Sequence, residues 1–274
     1  MVDGDRANVV SCTDRALAYG DGVFETIALV NARPQHWARH FARLTEGATR
    51  LFLTCPTESV WLSDLDKLLA WGIPRPRAVL KLLLSRGSGR RGYAPDPTAI
   101  PTRIAQLTDW PVSPGRQAPF MAIECETPLG RNPALAGFKH LNRLEQVLGA
   151  REVALAGAHE GIMCDVEGNL IAGTRSNLFL VIVGQLWTPP LTHSGIAGVM
   201  RGVVLECATA WGIKVHEANL SATELAGCEA LFFTNSILGI QPVHALHQKR
   251  GVRELDCALA EYMCERLRRE NLAP

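Results

Sequence analysis

Segments with strand periodicity and segments with helical periodicity alternate along this chain. Residues 23–29 (VFETIAL) are strand-like, residues 36–53 repeat their apolar side chains at helical spacing, and residues 78–87 are strand-like again. The second half continues the mixture, with apolar strands such as residues 177–183 and a helical segment near the C-terminus. This mixture predicts an α/β or α+β fold and argues against a helical bundle or an all-β sandwich.

Prolines concentrate between the two halves of this pattern, at residues 94–118. A chain of 274 residues is long enough for two domains that each bury a hydrophobic core. We therefore predict a smaller N-terminal α/β domain at residues 1–105, an interdomain connection at 106–118 and a larger C-terminal domain at 119–274.

The charge of the chain is almost balanced, with 28 Lys and Arg against 27 Asp and Glu and a formal net charge of +1. This balance predicts neither a nucleic-acid partner nor a membrane-surface partner. The longest uncharged stretch, residues 176–200, contains prolines and several glycines, so it predicts strands and loops rather than a membrane span.

The cysteines bear on the cellular location of the protein. The chain has eight of them, dispersed and without a C-x-x-C pair, which favours reduced and mostly buried thiols over a disulfide framework or a zinc site. Residues 1–10 lack the basic-then-apolar pattern of a secretion signal. These features predict a cytoplasmic protein.

Residues 137–150 (GFKHLNRLEQVLGA) contain a lysine that the local pattern does not explain. Their apolar side chains recur at helical spacing and predict an amphipathic helix with one buried stripe, formed by Phe138, Leu141, Leu144, Val147 and Leu148. Lys139 lies off this stripe in the predicted first turn, where the helix dipole disfavours a cation. A solvated surface lysine is the ordinary interpretation. The alternative is a functional lysine whose pKa is lowered by burial and by the dipole.

Two further segments suit the binding of an anion. In residues 194–213, glycines come directly before an apolar helical pattern, so the N–H groups of Val199 and Met200 are predicted to point at a ligand such as a phosphate. Residues 232–243 contain an apolar strand that ends in three short polar side chains, Thr234, Asn235 and Ser236. Such side chains either cap a turn or bind an anion. A glycine-containing helix start and a simple turn, both without a ligand, remain the structural alternatives.

An arginine-rich loop and a histidine pair complete the candidate groups. Residues 86–93 (RGSGRRGY) suit either carboxylate binding or a basic turn, and they do not match a P-loop. His36 and His40 lack a third ligand nearby, so they predict a structural pair rather than a metal site. A lysine combined with anion-binding turns suggests pyridoxal phosphate, which needs a lysine for its aldehyde and hydrogen-bond donors for its phosphate.

Seven segments resemble one known family in both order and spacing: RALAYGDGVFET (15–26), HFARL (40–44), SRGSGRRGY (85–93), GFKHLNRLEQVL (137–148), GTRSNLFLV (173–181), GIAGVMR (195–201) and TNSILGIQPV (234–243). The chain is similar to the fold-type IV pyridoxal-phosphate enzymes, the group of the branched-chain and D-amino-acid aminotransferases. The segments GFKHLNRLEQVL and SRGSGRRGY resemble the aminodeoxychorismate lyases of that group more than its aminotransferases. The resemblance implies the two-domain α/β fold of this group, with pyridoxal 5'-phosphate as the cofactor.

The resemblance also implies a role for each matching residue. Lys139 matches the lysine that forms a Schiff base with the cofactor, and Asn177 matches the asparagine beside the cofactor ring. The expected phosphate ligands are Arg43, the N–H groups of Val199 and Met200, and Ser236. The expected substrate-contacting residues are Glu25, Thr26, Arg91, Tyr93 and Asn142. No metal ligand is expected.

One position departs from the family pattern. The family places a glutamate five residues before the asparagine of S-N-L-F, where it keeps the pyridine nitrogen of the cofactor protonated. Ala172 stands at that position in this chain. The cofactor is then expected to be a weaker electron sink, which argues against strong aminotransferase activity. A lyase tolerates this loss better, because its product becomes aromatic.

The resemblance implies a lyase of folate biosynthesis that converts 4-amino-4-deoxychorismate into 4-aminobenzoate and pyruvate and acts as a homodimer. Two alternatives stay open. One is a D-amino-acid or branched-chain aminotransferase on the same fold, and the other is a weakly active homologue that binds the cofactor.

Overall fold

The computed structural model describes residues 1–72, 75–111, 120–248 and 251–274. The chain divides into two units, of which the first comprises Met1–Pro111 and Phe138–Asn142 and the second comprises Val112–Gly137 and Arg143–Pro274. The domain boundaries predicted from the sequence stay a prediction, because more than half of the predicted connection at 106–118 lies outside the described residues.

An antiparallel sheet in the order β2-β1-β3-β4 is the base of the first unit. The strands are β1 (Gly22–Val30), β2 (Arg33–Pro34), β3 (Arg77–Ser85) and β4 (Thr102–Asp109), and the helices are α1 (Arg15–Tyr19), α2 (Trp37–Arg50) and α3 (Glu58–Trp71). β1 pairs with β3 over its whole length. The core consists of buried side chains from these strands and from α2 and α3, among them Ile27, Leu44, Trp61, Leu80 and Leu82.

Strand β4 lies inside the proline-rich stretch 94–118, and its residues 106–109 belong to the segment that was predicted as an interdomain connection. Proline removes a backbone donor and is disfavoured inside a sheet. The prolines of this stretch that lie before residue 112 flank the strand, and the strand itself contains none. A proline-rich region can therefore hide a strand between its prolines.

A mixed sheet of ten strands forms the second unit among the described residues, in the order β10-β9-β8-β7-β6-β5-β13-β14, with β11 pairing with β8 and β12. The strands are β5 (Met121–Glu124), β6 (Glu160–Cys164), β7 (Leu170–Gly173), β8 (Asn177–Ile182), β9 (Gln185–Thr188), β10 (Val215–Glu217), β11 (Ala230–Asn235), β12 (Gly239–Pro242), β13 (Ala245–Gln248) and β14 (Gly251–Glu254). The helices are α4 (Leu144–Leu155), α5 (Val199–Ala210), α6 (Ala222–Gly227) and α7 (Ala258–Arg269).

Strands β8 and β11 are antiparallel neighbours whose side chains are buried on both faces. Because alternate residues of a strand point to opposite faces, Phe179 and Phe232 pack in one cluster with Met200 of α5. Leu178 and Phe233 belong to the cluster on the other face. This alternation decides which side chains of the two strands face α5.

The helix predicted over residues 137–150 begins later, at Leu144. The preceding residues are extended and pair with β1: the N–H of Phe24 donates to the carbonyl of Lys139, and the N–H of Leu141 donates to the carbonyl of Gly22. Lys139 therefore precedes α4 in the chain. The dipole argument made for it from the sequence was wrong, because the dipole effect fades within the first turn of a helix.

The predicted buried stripe was also wrong for the residues that do lie in α4. Leu144, Val147 and Leu148 are 78%, 60% and 50% exposed. The inward face is formed by Gly149 and Val153, and a Cβ added at Gly149 would lie 3.1 Å from the Met163 side chain. The periodicity is that of a helix, but the apolar stripe marks its outer face.

All eight cysteines are free thiols, and of these Cys12 is exposed whereas the others are partly or fully buried. Burial, reinforced by nearby carboxylates, raises the pKa of Cys125 to about 12 and the pKa of Cys164 and Cys257 to about 11. The uncharged stretch 176–200 forms β8, β9 and the loop before α5, as predicted. No helix in the described ranges is long and apolar enough to cross a bilayer.

Candidate active site

Lys139 lies on an extended segment beside β1 of the first unit. Its carbonyl accepts the N–H of Phe24 at 2.9 Å, and its Nζ lies 4.3 Å from the centroid of the Phe24 ring. The side chains on either side of it, Phe138 and His140, are buried. Because side chains alternate along an extended segment, Lys139 points the other way, where it is half-buried. The aromatic face stabilises a cation at this position.

A buried carboxylate on the same strand holds Arg43 in a fixed orientation. Glu25 is 1% exposed and accepts two hydrogen bonds from Arg43, from Nε at 2.7 Å and from Nη2 at 2.6 Å. His40 Nδ1 lies 2.6 Å from the same carboxylate. Burial raises the pKa of Glu25, but the charge of Arg43 and the hydrogen bonds from His40 and Arg43 outweigh it and lower that pKa to about 2. His40 is therefore a buried histidine whose ring nitrogen has a hydrogen-bond partner.

The predicted substrate-contacting residues of the first unit attach to α1 or to the strand beside Lys139. Thr26 lies two residues after Phe24 in β1. Asn142 donates from Nδ2 to the carbonyl of Gly20, the C-cap of α1, at 3.0 Å. Arg91 and Tyr93 lie in the loop after β3 with exposed side chains, and the Tyr93 ring lies 5.5 Å from that of Tyr19 in α1. Arg91 is therefore open to an incoming carboxylate.

In the second unit, α5 begins without a side-chain cap. Its N-cap is Gly198, and its first residues, Val199 and Met200, are 6% and 0% exposed. In the described part of the chain, no acceptor bonds to the N–H group of either residue. A buried helix start normally has its free N–H groups satisfied by a cap, by water or by a ligand. The geometry of this helix start therefore suits an anion, and the phosphate-binding role of Val199 and Met200 stays a prediction.

Two polar side chains face the start of α5. Asn177 and Thr234 form a cross-strand pair, on the same face of β8 and β11 as Phe179 and Phe232. Asn177 donates from Nδ2 to the carbonyl of Ile196 at 2.8 Å, and a Cβ at Gly198 would lie 2.0 Å from Asn177 Oδ1, so only glycine fits there. Thr234 is 1% exposed, and its hydroxyl bonds to none of the described residues.

The turn after β11 is organised by Asn235. Its Oδ1 accepts the N–H groups of Ile237 and Leu238 at 3.0 and 2.8 Å, so Asn235 caps this turn. Ser236 lies in the same turn and is half-buried. The uncapped helix, the unbonded hydroxyl of Thr234 and the Ser236 turn together fit the phosphate of a cofactor, which accepts several hydrogen bonds.

Ala172 lies in β7 and is 6% exposed, in an apolar cluster with Leu129, Met163 and Ile171. An acid on the neighbouring strand, Glu160 of β6, was not selected from any sequence pattern. Glu160 accepts the N–H of Thr174 at 2.9 Å and the hydroxyl of Ser176 at 2.8 Å. Its carboxylate therefore shapes the turn that leads into Asn177. Among the described residues, no group of three or more His, Cys, Asp or Glu side chains could hold a metal ion.

Comparisons with known proteins cover most of the chain. Residues 22–246 match the family model for amino-transferase class IV. An aminodeoxychorismate lyase from Vibrio harveyi is 34% identical over 89% of this chain and 90% of its own length. A putative branched-chain-amino-acid aminotransferase from Methanocaldococcus jannaschii is 31% identical over 85% of this chain and 81% of its own length.

Solved structures agree with these matches. The crystal structure of 4-amino-4-deoxychorismate lyase from Pseudomonas aeruginosa is 41% identical, covers 99% of both chains and superposes with a TM-score of 0.91. The Escherichia coli branched-chain amino acid aminotransferase superposes with a TM-score of 0.86 at 22% identity and therefore supports the fold alone. The fold-type IV architecture predicted from the sequence is confirmed. The chain belongs to the class IV aminotransferase family.

Proposed function

We propose that this protein is a pyridoxal-phosphate-dependent lyase that converts 4-amino-4-deoxychorismate into 4-aminobenzoate and pyruvate. The observation that carries the proposal is its likeness, along nearly the whole chain, to the lyases of Vibrio harveyi and Pseudomonas aeruginosa, at 34% and 41% identity. The buried and uncapped start of α5, with the unbonded hydroxyl of Thr234 beside it, supports the cofactor part of the proposal. The product, 4-aminobenzoate, places the protein in folate biosynthesis.

The predicted residue roles are part of this proposal. Lys139 would bind the cofactor covalently, and Asn177 would contact its ring. The phosphate ligands are Arg43, the N–H groups of Val199 and Met200, and Ser236. Glu25 supports the role of Arg43, because two hydrogen bonds to this carboxylate fix the orientation of the guanidinium. When bound, the cofactor withdraws electrons from the substrate carbon that carries the amino group.

Lys139 moves the proton in the proposed reaction. Its amine takes the hydrogen of the ring carbon that carries nitrogen, and the electron pair of that C–H bond is used to expel the enolpyruvyl oxygen from the neighbouring carbon. The ring becomes aromatic, and the released enolpyruvate gains a proton on its methylene carbon, from Lys139 or from water, to become pyruvate. Arg91 holds a carboxylate of the substrate, because an exposed guanidinium fork suits a carboxylate.

A decisive test measures both products. The purified protein, loaded with pyridoxal phosphate, is incubated with 4-amino-4-deoxychorismate and without any 2-oxo acid, and 4-aminobenzoate and pyruvate are assayed together. Equal amounts of both products are expected. Lys139→Ala is expected to lose the visible absorbance of the lysine-bound cofactor. Lys81→Ala, which removes another lysine beside the Phe24 ring, is expected to keep it.

An aminotransferase is the second candidate, favoured by the 31% identity to the putative branched-chain-amino-acid aminotransferase over 85% of this chain. Ala172 weighs against it, because its side chain lies in an apolar cluster and cannot supply the carboxylate that keeps the pyridine nitrogen protonated in the family pattern. Amino transfer that depends on a 2-oxo acid, without pyruvate formation from 4-amino-4-deoxychorismate, would support this candidate and contradict the lyase. A colourless protein that cannot bind the cofactor would instead support an inactive homologue.

We further infer a homodimer. The outer face of α4 carries Leu144, Val147, Leu148 and Leu155, all at least half exposed, at a spacing that places them on one side of the helix. An exposed apolar stripe of this kind is typical of a subunit interface. A cytoplasmic location is also part of the proposal, and the eight free thiols support it.

A further inference from the structure

We propose that Arg15 is a positioning residue that holds the loop of residues 86–93 in the conformation that binds substrate. This inference rests on the proposed function, because Arg91 and Tyr93 of that loop are the predicted substrate-contacting groups. Neither the family resemblance nor the sequence motifs give Arg15 a role. The role follows from the contacts that its guanidinium makes within the first unit.

The guanidinium of Arg15 donates hydrogen bonds to main-chain carbonyls of the loop. Nη1 donates to the carbonyl of Gly92 at 2.8 Å and to that of Arg90 at 3.5 Å, and Nη2 donates to the carbonyl of Tyr93 at 2.8 Å. These three carbonyls flank Arg91 in the chain. Arg15 is only 4% exposed although the loop side chains around it are exposed. A buried charged donor bonded to several carbonyls fixes the path of the main chain.

The other edge of the guanidinium is fixed by an acid. Arg15 Nε donates to Asp21 Oδ2 at 2.9 Å. Arg86, the first residue of the loop, donates to the same carboxylate from Nε at 2.7 Å and from Nη2 at 3.0 Å. Burial raises the pKa of Asp21, and the hydrogen bonds and charges of Arg86 and Arg15 outweigh it, so the pKa lies below its usual range. Asp21 therefore stays ionised and ties both arginines to the strand that carries Glu25.

The main chain of α1 and its aromatic residue hold the loop as well. The N–H of Arg15 donates to the carbonyl of Gly87 at 2.9 Å, and the N–H of Gly92 donates to the hydroxyl of Tyr19 at 3.2 Å. A Cβ at Gly89 would lie 2.9 Å from Arg15 Cδ, so the loop packs directly on the arginine stem. The Arg15 guanidinium also lies 4.6 Å from the Tyr19 ring.

The far end of α1 holds the third predicted substrate-contacting residue. Gly20 accepts the hydrogen bond from Asn142 and has a φ of 60°, and a Cβ at this position would lie 2.7 Å from Asn142 Oδ1. Helix α1 is thus the common anchor of Arg91, Tyr93 and Asn142. Arg15 acts on the loop end of this anchor without contacting the substrate itself.

The test compares Arg15→Met and Arg15→Lys with Arg103→Met. Arg103 makes a partly buried ion pair with Asp64 at 2.7 Å in the same unit, so its variant controls for the loss of an ion-paired arginine outside the loop. Arg15→Met keeps the stem, and Asp21 keeps Arg86 as its partner. Arg15→Lys keeps the charge and part of the carbonyl contacts. It replaces Arg15→Met in the comparison if the methionine variant does not fold.

Two readouts separate positioning from stability. Arg15→Met is expected to raise KM for 4-amino-4-deoxychorismate about tenfold or more with kcat changed less than about threefold, because it weakens substrate binding without touching the proton transfer. Arg15→Lys is expected to lie between the wild type and Arg15→Met. Hydrogen exchange of residues 86–93 is expected to quicken in both variants, and Arg103→Met is expected to leave KM and this exchange unchanged.

The proposal would be overturned if Arg15→Met had the loop hydrogen exchange and the KM of the wild type. It would also be overturned if Arg103→Met raised KM as much as Arg15→Met does. A wild-type protein without lyase activity would refute the proposed function, and the exchange measurement would then decide on Arg15 alone. Unchanged loop exchange in that case would contradict the role of Arg15 by itself.

Discussion

The hydroxyl of Thr234 lies where a valine side chain would fit equally well, on the face of β11 that packs against α5. A buried hydroxyl without a hydrogen bond costs about 1–3 kcal/mol, and a ligand that accepts its proton recovers that cost. Thr234→Val is therefore expected to leave the apoprotein equally stable or more stable while weakening cofactor binding about tenfold.

Thermal unfolding of the apoprotein and titration with pyridoxal phosphate, followed by absorbance, measure the two effects of Thr234→Val. Thr209→Val is the matched control, because Thr209 bonds to the carbonyl of Leu205 on an exposed part of α5. A destabilised Thr234→Val apoprotein with normal cofactor affinity would show that the hydroxyl serves the fold and not a ligand.

The carboxylate of Glu25 predicts how stability depends on pH. Its pKa is lowered from 4.5 to about 2 in the folded protein, so its contribution is complete above pH 4.5 and is lost as the pH falls from there toward 2. The shift corresponds to about 3 kcal/mol. Urea unfolding at pH 6, 5, 4 and 3 is expected to show the difference between the wild type and Glu25→Gln shrinking across the acid range. A difference that stays constant would mean that Glu25 is not ionised against Arg43.

The apolar surroundings of Ala172 lead to a third prediction for a single residue. Ala172→Glu places a carboxylate among Leu129, Met163 and Ile171 and is expected to destabilise the apoprotein by about 2 kcal/mol or more. Lyase turnover is expected to change less than about tenfold relative to Ala172→Gln, which has the same size without the charge. Thermal unfolding and product assays measure both. A gain of several orders of magnitude in turnover would show that the lyase lacks, and needs, this acid.

Among the elements, α4 has the helical periodicity that the sequence predicted, but its buried face is not the predicted one. The spacing of Leu144, Val147 and Leu148 is helical, but Gly149 and Val153 form the buried side because a helix packs closest where its side chains are smallest. Sequence alone could not assign the inner face, since the larger apolar side chains of α4 lie on its exposed side. The extended path of Lys139 was equally hidden, because it depends on pairing with β1, which is distant in sequence.

The exposed stripe of α4 gives a test of the inferred homodimer. Val147→Glu combined with Leu148→Glu is expected to convert the dimer into a folded monomer, because charges are excluded from the centre of an apolar interface. Light scattering after size-exclusion chromatography measures the mass, and circular dichroism reports the fold. Val252→Glu, which alters an exposed apolar residue on β14, is the control and is expected to remain dimeric. A double variant with the mass of the wild type would place any interface elsewhere.

At the scale of the whole molecule, the parts of the site that the sequence predicted are those encoded by local patterns. The glycines before α5 and the polar end of β11 are short motifs, and their structure follows from neighbours in the chain. Other contacts join residues that are distant in sequence. Arg15 and Tyr93 are separated by 78 positions, and Glu160 and Thr174 are separated by 14. No local pattern marks them, so they appear only once the strands are paired.

Cys12 gives the molecule a built-in place for a reporter. Its thiol is exposed, whereas the raised pKa values of Cys125, Cys164 and Cys257 keep those thiols protonated and slow to react with a maleimide at neutral pH. The next residue, Thr13, accepts the N–H of Gly89 through its carbonyl, so a fluorophore on Cys12 would be attached beside the arginine-rich loop. Its emission would follow the loop as substrate arrives, in the natural sequence and without an engineered cysteine.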